Sequence, residues 1–238
     1  MQNIAIINVV KDRSTGKIAL NLLNQLSSKG YNVTFFYGRG EKSNDVRLIR
    51  IEKPIEVYTH ALLSRLTGRQ GFYSSHATKK MLDEIARRHI DTIILINPHA
   101  YYLNEKLFYT YVSQKNLRFI SIIPDEFAYL GNCTNEPLCE RYITGKGKCP
   151  NIHQYPNSWF FDSCPVIMSN KECCYIQLKS AMFVGPEFVI NKLRNSYLGR
   201  YMQSAILDEA IDIELYHPCN AEALRKRLGI DMNKIVIL

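Results

Sequence analysis

The sequence predicts a doubly wound α/β fold built on a parallel sheet, the Rossmann-like arrangement, and three observations carry that reading. Apolar, β-branched runs of strand length recur at residues 4–10, 31–37, 92–96, 118–123, 182–184 and 204–207. Between them lie segments whose apolar residues return every third or fourth position, the helical period. The first strand, helix and second strand occupy close to the shortest span a β-α-β unit takes, which implies a parallel pair joined by a right-handed crossover.

Residues 11–16 form a polar turn, and Ile18, Leu22 and Leu26 mark one face of a helix that stops at Ser27-Ser28-Lys29-Gly30. Helices are predicted over residues 58–66 and 79–89, before the buried strand 92–96. A helix over 106–112 leads into strand 118–123, and a helix over 187–195 separates the last two strands. Residues 125–157 break the alternation: Gly, Pro, Cys, Asn and Thr crowd there without period, over a length uncommon for an idle connection. Long loops at strand ends usually carry function. Residues 221–228 read as a short basic helix and 234–238 as a further strand.

With 46% hydrophobic and 22% charged residues the 238-residue chain has an ordinary globular composition, which excludes disorder, collagen and coiled coil. A net charge of +8 favours anionic partners such as nucleotides, phosphates or acidic membrane surfaces. No nucleic-acid module accompanies that charge, so nucleic-acid binding is not expected. The longest apolar runs, such as Ile93-Ile94-Leu95-Ile96, are strand-sized and far short of a membrane span. The start of the chain carries no recognisable secretory leader, so a cytoplasmic protein is expected, with seven cysteines as reduced thiols or metal ligands.

In a doubly wound sheet, ligands sit beyond the carboxyl ends of the strands. Thr15 and Gly16 occupy the first such turn, where a glycine lets backbone approach a phosphate at a helix N-terminus, although Ser14 or Thr15 as a helix cap fits equally well. Asn97, His99 and Tyr101 follow the buried strand 92–96 directly. Asp125 stands at the corresponding place after the next strand, where a carboxylate can accept a sugar hydroxyl or act as a base, or simply cap a turn. No metal or other cofactor is expected. The alternative is a set of Cys133, Cys139, Cys149 and His153, whose gaps of five and nine residues between the cysteines depart from zinc-finger spacing.

Three stretches taken together resemble the N-terminal half of family-four glycosyltransferases of capsule and exopolysaccharide synthesis, close to the colanic-acid type. They are Ala61-Leu62-Leu63-Ser64-Arg65-Leu66-Thr67-Gly68-Arg69-Gln70-Gly71-Phe72-Tyr73-Ser74, the block from Asn97 to Asn104, and Cys139-Glu140-Arg141-Tyr142-Ile143-Thr144-Gly145 running on to Lys148-Cys149-Pro150. The resemblance implies a GT-B architecture, with two Rossmann-like domains facing across a cleft. It implies transfer of a sugar from a nucleotide sugar to a glycan or lipid-linked acceptor, with retention and without a bound metal. The family's first domain holds mainly the acceptor, which makes Asp125 the expected catalytic residue, as a carboxylate orienting the acceptor. Gly16, Thr15, His99, Tyr101 and Asn97 are then the expected substrate-binding residues. Departures fall at Thr15-Gly16, where the family has Gly-Gly, at Pro124-Asp125, where it has His-Asp, and at Lys146, where it has a fourth cysteine.

The expected division is a Rossmann-like acceptor-side domain over residues 1–215, carrying the cysteine insert 125–157, and residues 216–238 as a linker and first strand of a truncated second domain. Such a chain is expected to be incomplete or inactive by itself, with a non-catalytic glycan- or partner-binding remnant as the alternative. Its basic surface suits peripheral contact with the anionic inner face of the cell membrane, where lipid-linked acceptors lie.

Overall fold

The first strand, β1 (Asn3–Val10), is buried on both faces, as expected for the centre of a parallel sheet covered from two sides. It pairs in parallel with β2 (Asn32–Arg39) on one side and β4 (Thr92–Leu95) on the other, so that Ile6 stands opposite both Phe35 and Ile94. Outward from these lie β3 (Leu48–Arg50) beyond β2, and β5 (Arg118–Ile122), β6 (Ala181–Gly185) and β7 (Gln203–Ile206) beyond β4. The order β3-β2-β1-β4-β5-β6-β7 is parallel throughout and reverses direction between β1 and β4, the point at which a ligand crevice opens. The computed structural model describes residues 2–135, 138–208 and 217–236.

Alternate residues of the strands feed two cores. Ile4, Ile6, Phe35, Ile94 and Ile96 pack with Ala19 and Leu23 of α1 (Thr15–Ser28) on one face. Ala5, Ile7, Val9, Ile93 and Leu95 pack on the other face with α3 (Ser75–Arg87), α4 (Glu105–Gln114), α6 (Cys164–Tyr175) and α7 (Glu187–Arg194). Helices thus lie on both sides of the sheet. The second core carries a run of edge-to-face rings, Phe108, Tyr109, Phe119, Tyr175 and Phe183, with neighbouring centroids 5.1–6.2 Å apart. Each such pair adds roughly 0.5–1.5 kcal/mol beyond its buried area. Helix α2 (Pro54–Thr67) opens on a capping box, with Pro54 at its first position and the Glu56 carboxylate accepting from the Lys53 amide at 2.7 Å.

Two elements lie outside the sequence prediction. Strand β3 has three half-buried residues, too few for alternation to register. Helix α6 has a diluted apolar face because Lys171 is buried within it while Val166 and Ile176 are exposed. The irregular insert also holds a 3-10 turn, Glu126–Ala128, and the single-turn α5 (Arg141–Thr144).

The chain divides into two compact units, Met1–Asp208 and Glu209–Leu238. The described part of the second contains α8 (Glu222–Leu228), closed by Gly229 in the left-handed conformation. Lys234, Ile235 and Val236 carry no strand, since the described part of that unit offers no second strand to form a ladder. Residues 209–216 and 237–238, with the expected interdomain link and the end of the expected strand, lie outside the described residues.

Candidate active site

The candidate residues gather at the carboxyl edge of the sheet. After β4 the chain makes a tight buried turn in which Asn97 Oδ1 accepts from the His99 amide at 3.1 Å and the Asn97 carbonyl accepts from the Tyr102 hydroxyl. Ala100 and Tyr101 follow at φ 76° and 71°, left-handed values that cost a non-glycine residue roughly 1–2 kcal/mol each. Two features hold the strained pair. Arg39 Nη1 donates to the Ala100 carbonyl at 3.2 Å, and Gly38 lets β2 approach the Tyr102 ring so closely that a side chain there would collide with it.

This turn aims His99 at Asp125, which ends the adjacent connection after β5. His99 Nε2 lies 2.9 Å from Asp125 Oδ2, and Oδ1 of the same carboxylate accepts from the Phe127 amide at 3.0 Å. His99 is 7% exposed, and its imidazole is flanked by the rings of Phe127, at 5.2 Å, and Tyr155, at 6.0 Å. Its Nδ1 is buried and has no hydrogen-bond partner among the described residues, so the tautomer consistent with the geometry carries its proton on Nε2 and donates to the carboxylate. Asp125 keeps 27% of its side chain open. With each oxygen already accepting one bond, its remaining lone pairs can still take a hydroxyl from outside.

The turn that carries Asp125 is fastened from below by two lysines. Lys171, 1% exposed, donates to the carbonyls of Phe127, of Leu130 at 2.9 Å and of Gly131 at 3.2 Å, and sits 3.6 Å over the Phe127 ring. Burial lowers its pKa, and the Glu105 carboxylate opposes that shift. Lys192 of α7 pairs with Glu126, the residue after Asp125.

Thr15 and Gly16 sit at the end of β1, one strand away from His99. The Thr15 hydroxyl donates to Asn8 Oδ1 at 3.1 Å, and the amides of Gly16 and Lys17 close turns onto the carbonyls of Arg13 and Ser14 at 2.6 and 3.0 Å. A Cβ on Gly16 would stand 2.7 Å from the Lys11 carbonyl carbon and 2.9 Å from the Val10 oxygen. The glycine therefore serves the close packing of α1 on β1, and these groups are engaged locally.

Several groups at the same edge gave no sequence signal. Tyr101 packs edge-on against His60, at 5.8 Å, and under the Arg65 guanidinium, at 5.7 Å. His60 Nδ1 is hydrogen-bonded with Ser74 Oγ at 2.6 Å, and burial lowers its pKa to about 3, so it is neutral. Burial raises the Glu52 carboxyl to about 8 against a smaller lowering by the nearby Ser74 hydroxyl, and neither oxygen has a well-formed hydrogen bond. Glu52, Arg39, Arg50, Gly38 and Gly40 line a cleft of about 150 Å³ at the ends of β2 and β3. With Glu52 neutral, this cleft is cationic.

No family model and no curated protein matches the sequence. The three-dimensional fold does match solved structures. Sucrose-phosphate synthase from Thermosynechococcus elongatus superposes with a TM-score of 0.58 at 13% identity, over 98% of this chain and 54% of that one. Phytolacca americana UGT2, solved with UDP-2-fluoro-glucose and pterostilbene, gives 0.50 at 11% identity, over 95% of this chain and 57% of that one. The likeness is one of fold. The seven-stranded Rossmann-like unit is of the kind found in both proteins, and this chain spans about half the length of each.

The cysteine insert folds beside this edge with different partners from those the spacing suggested. His153 is exposed and its Nδ1 faces the Ser158 carbonyl at 3.0 Å. Cys133 and Cys149 are joined instead by Cys164, from the start of α6, around one small pocket. The thiols of Cys133 and Cys164 hydrogen-bond the Cys149 sulfur, which lowers its pKa and raises theirs. Among the described residues no helix is long and apolar enough to cross a membrane.

Proposed function

We propose that this chain is the acceptor-side domain of a retaining glycosyltransferase that moves a sugar from a nucleotide sugar to a glycan or lipid-linked acceptor in surface polysaccharide synthesis. The observation that carries the reading is the Asp125 carboxylate, tied through one oxygen to His99 and through the other to the Phe127 amide, at the ligand edge of a glycosyltransferase-like sheet. An acceptor hydroxyl donates to Asp125 and is thereby aligned, with more electron density on its oxygen. His99 fixes the carboxylate's plane and offsets part of its charge. Tyr101, whose ring lies between His60 and Arg65, forms a side wall against which the apolar face of a sugar stacks. The cationic cleft at Arg39 and Arg50 lies along the same edge at the ends of β2 and β3 and suits a phosphate-bearing part of either substrate.

The test is transfer of labelled sugar from UDP- and GDP-sugars by the protein that carries this chain. Asp125→Asn keeps the shape and removes the charge, and is expected to lower kcat by roughly 10²–10⁴-fold, the usual range for an acid-base group, with little change in thermal stability. Unchanged turnover in this variant would remove Asp125 from the mechanism. Glycan binding with no turnover in any assay would instead support a binding module.

A further inference from the structure

Where the insert meets the start of α6, two thiols and a carboxylate lie together, with a third thiol and a buried guanidinium beside them. Sulfur atoms of Cys149 and Cys164 and a carboxylate oxygen of Asp162 lie within 4.8 Å of one another. Cys133 lines the same pocket, and its thiol hydrogen-bonds the Cys149 sulfur. Donors bound at about 2.0–2.3 Å in a tetrahedron sit roughly 3.5–3.8 Å apart, so Cys149, Cys164 and Asp162 need draw together by only about an ångström to hold a cation, and Cys133, which lines the pocket outside that group of three, closes in further as the fourth donor. Cys133, Cys149 and Cys164 are free thiols, and Cys133 and Cys164 are buried, where thiols are shielded from solution chemistry.

A second observation points to the same place. Arg141 is 7% exposed, its Nη1 stands 3.6 Å from Asp162 Oδ1, and its Nε and Nη2 are buried without a hydrogen-bond partner among the described residues. A buried guanidinium beside a single carboxylate is poorly compensated. Three thiolates and one carboxylate around a divalent ion carry a net charge of −2, and Arg141 then faces the excess negative charge it otherwise lacks. The Asp162 carboxylate is already oriented, accepting from the Cys149 amide at 2.8 Å and the Cys164 amide at 3.1 Å, as an outer partner fixes a ligand.

We propose that Cys133, Cys149 and Cys164, with a carboxylate oxygen of Asp162, form a tetrahedral zinc site that staples the insert to the start of α6. On binding, the three thiols release their protons to solvent and no electrons move. The ions with which this donor set fits best are soft or borderline divalent ones, and the absence of an open ligand position makes the role structural. Its consequence reaches the candidate active site, because the insert carries Tyr155, whose ring flanks His99. The inference does not depend on the glycosyltransferase reading.

The experiment uses the full chain, stripped with a chelator under reducing conditions and titrated with Zn²⁺ and with Co²⁺. One ion per chain is expected, with cobalt giving thiolate charge-transfer absorption in the near ultraviolet and the intense visible bands of a tetrahedral ion. Cys149→Ser is expected to abolish stoichiometric binding, and Cys173→Ser and Cys219→Ser, at exposed positions, to leave it intact. Should Cys149→Ser fail to fold, Asp162→Asn tests the same set and is expected to weaken zinc affinity by about 10-fold or more. Substoichiometric binding by the reduced chain, weak octahedral cobalt bands, or retained affinity in Asp162→Asn with lost affinity in Cys139→Ser would each overturn the proposed ligand set.

Discussion

At the scale of single residues, the candidate site depends on two carboxylates held in opposite ways. Asp125 is partly open, with one hydrogen bond to each oxygen, and is suited to accepting a third from a substrate hydroxyl. Glu52 is buried, and desolvation raises its pKa from the ordinary 4.5 to about 8. Between those two values the folded chain holds a proton that the unfolded chain has released, so stability falls as pH rises through that window and is greatest below it. Glu52→Gln is expected to flatten the slope and, above pH 8, to exceed the wild type by about 2 kcal/mol, half the full linkage value to allow for partial solvation. Chemical denaturation across that pH range reads both effects, and a wild type whose stability rises with pH there would contradict the protonated Glu52. The sequence pointed to Asp125, His99 and Tyr101 because each follows a strand that is plain in the pattern. It was silent on Glu52 and Arg39, because a lone acid or base near a short strand looks the same as any surface charge until the chain buries it.

At the scale of elements, close backbone approaches set the geometry of the edge. Gly16 permits α1 to settle on the end of β1, and its nearest neighbours are main-chain atoms that cannot swing aside. Gly16→Ala is therefore expected to destabilise the fold by about 1–3 kcal/mol, seen as a lower midpoint in thermal unfolding followed by circular dichroism. An unchanged midpoint would mean that the helix shifts freely and that the loop is not packed as described. Helix α6 shows why part of the fold escaped sequence reasoning: its central Lys171 belongs to the interior only because the carbonyls of Phe127, Leu130 and Gly131 converge on it. That convergence is a property of the insert and α6 together. It fixes the turn bearing Asp125, so an element without a clear apolar stripe underlies a central group of the candidate site.

For the molecule as a whole, charge is the property most readily tested. A net charge of +8 includes Arg225 and the exposed Lys226 and Arg227 of α8. The chain is expected to sediment with vesicles containing anionic lipid at low ionic strength and to be released by salt, each engaged cation contributing ~1 kcal/mol. Sedimentation with neutral vesicles to the same extent, or with neither kind, would separate the basic surface from any membrane role. Calorimetric titration with UDP, GDP and their sugars complements this. Micromolar binding would mean that the ends of β1 and β2 suffice for a nucleotide, and no binding would agree with the proposed acceptor-side reading.

The parallel order and the placement of candidate groups at strand ends follow from periodicity, because a strand buried on both faces and a helix buried on one leave distinct marks in the chain. Local turns such as Asn97 to Tyr101 were likewise legible as the places where those marks stop. What only the tertiary structure decided was which distant groups meet. His99 reaches Asp125 across two adjacent strands, and Cys164 takes the place beside Cys133 and Cys149 that spacing had suggested for His153. Such meetings are set by how helices and loops pack onto the finished sheet. The energies that select them arise from burial and hydrogen bonding between residues far apart in sequence, which no local pattern records.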